Sequence, residues 1–246
     1  MLTPTEKGLC IGLGAAAVAG LAAGGWAYAS LWPGSRIFGQ ALTAPARAGE
    51  IALTFDDGPN PAWTPALLDL LARHDVRATF FMLGGHAQAE PDLVRRVAVA
   101  GHVVGNHSWS HPNLSRTPAS RVREELMRTQ QTLEQILGAR VRYFRPPYGA
   151  RRPAVFRIAR DMGLEPVLWN AMTSDWSEQS AERIAARLTV KIDALARRGF
   201  AANIVLHDGN HRLLSGDREP SVTTAGLLLK RYAGTHRFVT LDAWTA

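Results

Sequence analysis

The sequence predicts a parallel α/β domain, either a barrel or an open sheet, behind an N-terminal transmembrane or signal helix. Three observations carry this expectation. Short apolar runs rich in β-branched or aromatic residues recur seven times along the chain. Capped, amphipathic helical segments alternate with them, the pattern of a parallel sheet. A stretch without charge, Gly8 to Trp32, precedes both.

That first stretch is long enough to cross a bilayer, which takes about 20 residues. Lys7 stands before it, and Trp26, Tyr28 and Trp32 lie near its far end, where amphipathic rings favour the membrane interface. It reads as an uncleaved anchor, or as a signal peptide cut after Ala29, where Ala27 and Ala29 are small residues at the right offsets. A buried helix of a soluble protein fits poorly, because no polar face exists. Either export reading puts the rest of the chain in the cell envelope on the extracytoplasmic face, anchored to the inner membrane or secreted to the periplasm. Residues 1–33 form this segment, 34–48 are a Gly-, Pro- and Ala-rich linker, and 49–246 are the folded domain.

The domain starts with a strand at Ile51–Phe55. Thr64-Pro65 opens a helix with Leu67, Leu68 and Leu71 on one face. A strand at Ala78–Leu83 follows, then a helix from Glu90-Pro91 to Gly101. The third strand is His102–Gly105. Thr117-Pro118 begins a long amphipathic helix that Gly138 ends. Strand Arg142–Phe144 leads to a helix over Pro153–Gly163, and strand Pro166–Trp169 to a helix over Ser180–Gly199. Strand Asn203–Leu206, helix Ser221–Tyr232 and strand Phe238–Leu241 complete the chain.

The composition narrows the chemistry. Hydrophobic residues make up 46% of 246 and charged residues 20%, which excludes a disordered or low-complexity chain. Cys10 is the only cysteine, so no intrachain disulfide and no cysteine zinc site can form, and any metal must be held by His, Asp or Glu. The net charge of +7 admits anionic partners of several kinds. Long basic runs and aromatic-studded basic patches are absent, so nucleic acid is not an expected partner. The densest basic window, Arg140 to Arg160, fits a solvated helix face.

Polar clusters recur at the C-terminal ends of the strands, the face on which α/β barrels build active sites. The first strand ends in Asp56-Asp57-Gly58-Pro59, which is either turn chemistry or a pair of carboxylates able to split the roles of metal ligand and base. Beyond the third strand, His107 and His111 form a His-x-x-x-His pair that, with an Asp, suits Zn²⁺ or a similar ion. His102, inside that strand, reads as structural. The fourth strand ends in Arg145-Pro146-Pro147-Tyr148-Gly149, where two prolines lock the backbone. Thr173-Ser174-Asp175-Trp176 follows the fifth strand, and His207-Asp208-Gly209 the sixth. His211, Arg212, Asp217 and Arg218 follow, and fit either the edge of a groove or a loop surface.

In chain order, Thr54-Phe55-Asp56-Asp57-Gly58, His107-Ser108-Trp109-Ser110-His111, Arg145-Pro146-Pro147-Tyr148, Asp175-Trp176 and Leu206-His207 resemble the motifs of the NodB-homology polysaccharide deacetylases, carbohydrate esterase family 4. The resemblance runs from about Glu50 to the C-terminus. It departs at Met172, where members often carry Asp, and at Val205, where they often carry Leu. It implies a distorted (β/α) barrel with about seven parallel strands and a monomeric catalytic domain. It implies a metal-dependent hydrolase that removes N-acetyl groups from an N-acetylglucosamine-containing glycan, such as peptidoglycan, a chitin-like oligomer or an exopolysaccharide. On this resemblance Asp57, His107 and His111 bind one divalent ion, Zn²⁺ first, with Co²⁺ or Ni²⁺ as alternatives. Asp56 is the general base, partnered by Arg145. The Tyr148 backbone N–H meets the oxyanion, and His207, held by Asp175, is the general acid. Trp176, Leu206 and Pro147 line the substrate pocket.

Other functions fit the same residues. An O-acetyl esterase, or a deformylase acting on a lipid-linked aminosugar, keeps the machinery and changes the bond. A sugar-binding pseudoenzyme would have lost a ligand or the base, and all five motif positions are filled. A membrane-tethered scaffold rests on charge alone, and metal content separates it from an enzyme.

Overall fold

The structure, a computed structural model, describes residue 20 and residues 23–245. Eight strands form one sheet: β1 (Glu50–Gly58), β2 (Thr79–Met82), β3 (Val103–Asn106), β4 (Tyr143–Phe144), β5 (Glu165–Pro166), β6 (Ala171–Met172), β7 (Ala202–His207) and β8 (Arg237–Phe238). From residue 50 onward seven helices accompany them: α1 (Thr64–Arg73), α2 (Gly84–Ala89), α3 (Pro91–Val99), α4 (Ala119–Leu137), α5 (Pro153–Asp161), α6 (Ala181–Arg197) and α7 (Glu219–Tyr232). Every strand pairing is parallel.

The main path runs β5-β4-β3-β2-β1-β7-β6, and β8 pairs with the start of β1 off that path. This is the cyclic order of a seven-stranded barrel opened between β5 and β6, so the sheet is a curled half-barrel. Residues 167–170 join its two edges in the chain. The stretch with linker composition fills part of the opening. Leu42 bridges Val167, the Thr43 carbonyl accepts from Asn203 Nδ2 at 2.8 Å, and the Pro45 carbonyl accepts from Ala201 N at 3.0 Å. These bonds satisfy edge groups that an open sheet leaves bare.

Strand alternation sorts the side chains into two layers. Ile51, Leu53 and Phe55 of β1, Phe80 and Met82 of β2, and Ala202, Ile204 and Leu206 of β7 face the helices and form the main core. The alternate residues face the concave side. There Ala52 and Phe81 join a second cluster with Tyr143, Val167 and Trp244, and Thr54, Asp56, Asn203, Val205 and His207 share the same parity. The apolar layer holds the sheet, and the concave layer is where polar groups can gather.

Of the expected side-chain caps only one forms; α1, α3 and α4 start without one. Ser180 caps α6 by accepting from Arg183 N at 3.2 Å, and Gly138 ends α4 at φ 63°, a conformation glycine adopts without a Cβ penalty. Pro stands in the first turn of α1, α3, α5 and α7. Differences from the sequence reading are local. The expected fifth strand is two short strands, β5 and β6, because the chain crosses the opening between them. The last expected strand stops at Phe238, and Leu241–Trp244 is a 3₁₀ turn. Helix α2 was not anticipated.

The uncharged Gly8–Trp32 segment, with Cys10, lies largely outside the described residues. Residues 23–31 are helical. No helix among the described residues is long and apolar enough to cross a membrane. Ala29 and Ser30 are buried against the domain, while Trp26, Tyr28 and Trp32 are half or more exposed.

Candidate active site

Adjacent strand residues normally face opposite sides of a sheet. Asp56 and Asp57 escape this rule through a bulge. The β1–β2 register steps from Asp56↔Phe81 to Gly58↔Met82, leaving Asp57 as the extra residue, with φ 70°. An extra residue re-aims the side chain next to it, and both carboxylates line one cavity. The bulge needs room behind it. A Cβ on Gly209 would lie 1.9 Å from the Asp57 carbonyl oxygen, so only glycine fits there.

His107 and His111 sit on the loop after β3. Asn106 Oδ1 accepts from Ser108 N at 2.9 Å, and Glu125 of α4 holds the rest of the loop. Its carboxylate accepts from Trp109 N at 2.9 Å and from Ser110 N and Oγ at 2.8 Å each. Ser108 and His111 have φ 68° and 60°. With Asp57 and Tyr148, at φ 59°, they make four of the five non-glycine residues with positive φ among those described. Such backbones cost about 1–3 kcal/mol each and persist where the surroundings over-determine them.

Asp57, His107 and His111 place one ligand atom each within 4.8 Å of one another. Asp57 Oδ1 lies 3.5 Å from His107 Nε2 and 3.2 Å from His111 Nε2. Ligands about 2.0–2.2 Å from a tetrahedral ion are separated by about 3.3–3.6 Å, so the group fits a divalent cation. Asp57 Oδ1 is buried without a hydrogen-bond partner, an orphaned oxygen that such a cation would satisfy. His107 Nδ1 lies 2.8 Å from the Arg145 carbonyl, which places the proton on Nδ1 and leaves the Nε2 lone pair free. Burial, reinforced by the neighbouring histidines and only partly opposed by Asp57, lowers the His111 pKa to about 3, so the ring is neutral, as a ligand must be.

Behind the carboxylates lies Arg145, a fully buried guanidinium. It donates through Nη1 to Asp56 Oδ1 and to Thr54 Oγ1, both at 2.7 Å. The ion pair fixes the Asp56 rotamer.

On the neighbouring strand β7, beside Asp56 in register, His207 Nδ1 lies 2.9 Å from Asp175 Oδ1. Asp175 also accepts from His207 N at 2.8 Å and from Ser221 Oγ at 2.7 Å. Burial disfavours the imidazolium, but the charge and hydrogen bond of Asp175, helped by Asp57 and Asp56, outweigh it and raise the His207 pKa to about 9. The ring is a proton donor at neutral pH. The Tyr148 N–H makes no hydrogen bond among the described residues and sits in the turn that Pro146 and Pro147 start.

The cavity holds about 500 Å³, and its lining includes Asp56, Asp57, His107, His111, Tyr148, Trp176 and His207. Arg145 and Asp175 stand one layer behind, against Asp56 and His207. Two expected pocket residues lie elsewhere. Leu206 is in the main core, because its parity on β7 turns it toward the helices, and Val205 takes the cavity position. Pro147 is buried in the turn and does not line the cavity. Trp169 and Met172 complete the apolar wall. Glu125 was missed, although a Glu among Val122, Leu126 and Leu133 on the buried face of α4 is a signal in itself.

Comparisons with known proteins agree with this geometry. Residues 43–167 match the family model described as polysaccharide deacetylase. A chitooligosaccharide deacetylase of Azorhizobium caulinodans is 38% identical over 70% of this chain and 80% of its own. A peptidoglycan-N-acetylglucosamine deacetylase of Bacillus cereus is 40% identical over 60% of this chain, and the chain spans about half of that relative's length (54%). The crystal structure of the Bc1960 peptidoglycan N-acetylglucosamine deacetylase superposes with a TM-score of 0.73 at 32% identity, covering 82% of this chain and 91% of that one.

Proposed function

The chain belongs to the polysaccharide deacetylase family, and on that premise we propose that it hydrolyses the acetamido groups of N-acetylglucosamine units in a glycan. The products are acetate and a free amine on the sugar. The observation that carries this reading is the pair of side chains brought side by side into one cavity by β1 and β7: Asp56 held by Arg145, and His207 held by Asp175.

Asp57, His107 and His111 are the residues that would hold the metal, Zn²⁺ in this proposal, with Co²⁺ or Ni²⁺ as substitutes. When bound, the ion supplies Lewis acidity at the acetyl carbonyl. Asp56, held in place by Arg145, takes the proton of the attacking water. The unpaired Tyr148 N–H points a dipole at the developing oxyanion, a contribution commonly worth about 3–4 kcal/mol. His207 delivers its proton to the departing amine. An amine leaves poorly without a proton, whereas an alkoxide needs less help, so a protonated His207 favours an N-acetyl over an O-acetyl substrate. Val205, Trp169 and Met172 supply an apolar wall for the acetyl methyl.

In this proposal the site works outside the cytoplasm, tethered through the Gly8–Trp32 segment, with exposed Trp26 and Trp32 suited to a membrane interface. Acetate release from peptidoglycan fragments, chitin oligomers and an O-acetylated polysaccharide tests the reading. Release from the N-acetylated substrates, abolished by a chelator and restored by Zn²⁺, supports it. Release that survives chelation, or that occurs only from the O-acetylated substrate, overturns it.

A further inference from the structure

We infer that the loop after β7 forms an anion subsite within the same cavity, built to take a carboxylate carried by the glycan close to the acetamido group. This rests on the deacetylase reading above and names the substrate class more narrowly.

Asn210, His211, Arg212 and Arg218 line the cavity together with Asp56 and His207. Arg218 is only 8% exposed. Its Nε donates to the Gly209 carbonyl at 2.5 Å and its Nη1 to the Asp217 carbonyl at 3.0 Å. Its Nη2 makes no hydrogen bond among the described residues, and no carboxylate lies within 4.0 Å of Arg218 or Arg212 there. A buried guanidinium without a counter-ion is costly.

Two other buried arginines show how this chain otherwise meets that cost. Arg145 is paired with Asp56. Arg151 donates through both terminal nitrogens to the carbonyls of Ser30, Gly149, Trp32 and Ser35 and lies away from the cavity. Arg218 alone of the three leaves a terminal nitrogen open while lining the site.

The subsite is rigidly tied to the catalytic carboxylates. Gly209 N donates to the Asp56 carbonyl at 3.2 Å, and the Gly209 carbonyl accepts from Arg218. Arg212 and Tyr148 line the same cavity. Two guanidinium groups therefore flank the loop side of the cavity, on the same short loop. A guanidinium edge matches a planar carboxylate through two parallel N–H···O bonds. Sugars with a lactyl ether or a uronic acid group carry such a carboxylate, and a sugar phosphate offers related chemistry.

The test uses four tetrasaccharides with the same acetamido content. One is neutral, one carries lactyl carboxylates, one carries those carboxylates as methyl esters, and one carries phosphates. Affinity is read from quenching of tryptophan fluorescence, since Trp169 and Trp176 line the cavity, and turnover from acetate release. The wild-type chain is expected to bind the free carboxylate about tenfold tighter than its ester, a difference of about 1.4 kcal/mol. The preference shrinks with salt and falls toward unity in Arg212→Gln and in Arg212→Gln with Arg218→Gln. Arg218→Lys, which keeps the charge, retains part of it and guards against misfolding of the double variant. Equal affinity for acid and ester, or a preference that survives both substitutions, overturns the subsite. Preference for the phosphate over the carboxylate overturns the assigned ligand. A carboxylate preference without any acetate release overturns the deacetylase reading and leaves the subsite standing; release without the preference does the reverse.

Discussion

Replacing Asp175 with Asn removes the charge that keeps His207 protonated while preserving the shape of its partner. In the wild-type site the His207 pKa is raised to about 9 against a burial penalty that pushes the other way, and Asp175 supplies the largest opposing contributions. Without that charge the imidazole returns to its ordinary pKa of about 6.5 or below. The protonated fraction then falls by only about 1.3-fold at pH 6, about tenfold at pH 7.5 and about 75-fold at pH 8.5. The rate defect should follow those ratios. A divalent ion held by Asp57 would cancel part of the attraction from Asp57 and would set the alkaline limb of the wild-type enzyme somewhat below pH 9. The separation between the two profiles persists because it comes from Asp175. The assay is kcat for acetate release against pH for both proteins, with the His207 ring followed by NMR titration. A defect of equal size at every pH, or a His207 titration that does not move, refutes the proton-donor role.

Three further outcomes follow from the packing. Arg145→Leu strands Asp56 as a buried, unpaired charge and should destabilise the fold by about 3–5 kcal/mol in denaturant titrations; an unchanged midpoint would show that the ion pair is not needed there. Glu125→Gln deprives the His107–His111 loop of a carboxylate that accepts three hydrogen bonds. It should weaken metal binding about 10–100-fold, measured by chelator competition. Asp208 is buried with Oδ1 unpaired, and burial chiefly raises its pKa to about 7. The folded state therefore binds this proton more tightly than the unfolded chain, and stability falls as pH rises from about 4 to about 7. Asp208→Asn should remove that loss, on the order of 4 kcal/mol at most, so its stability gain over wild type must be larger at pH 8 than at pH 5.

The polar clusters were legible because their chemistry is local. Asp56-Asp57-Gly58-Pro59 sets two carboxylates beside a turn signal, although β1 runs on through Gly58 rather than stopping at Phe55, and His107 and His111 carry metal-ligand spacing within one loop. The helix boundaries at Ser180 and Gly138 were legible for the same reason. What escaped depends on register and on distant partners. Whether Val205 or Leu206 faces the cavity is a matter of strand parity, which no motif states. That Asp56 and Asp57 share a cavity depends on a bulge accommodated by Gly209, remote in sequence. The stretch around Leu42 has the composition of a linker, and its role at the sheet opening comes from backbone groups at the β5 edge and at Ala201, just before β7, that need partners. Strands of two residues, such as β6, are too short to carry a period.

The central claim is that two neighbouring carboxylates divide the work, Asp57 holding the metal and Asp56 moving the proton. Bound metal per chain and acetate release, measured on the same samples of Asp56→Asn and Asp57→Ala, test it most directly. Asp56→Asn is expected to keep roughly one equivalent of metal and to lose about 10²–10⁴-fold in rate, and Asp57→Ala to lose both. Loss of the metal from Asp56→Asn, or retention of it by Asp57→Ala, would contradict the account.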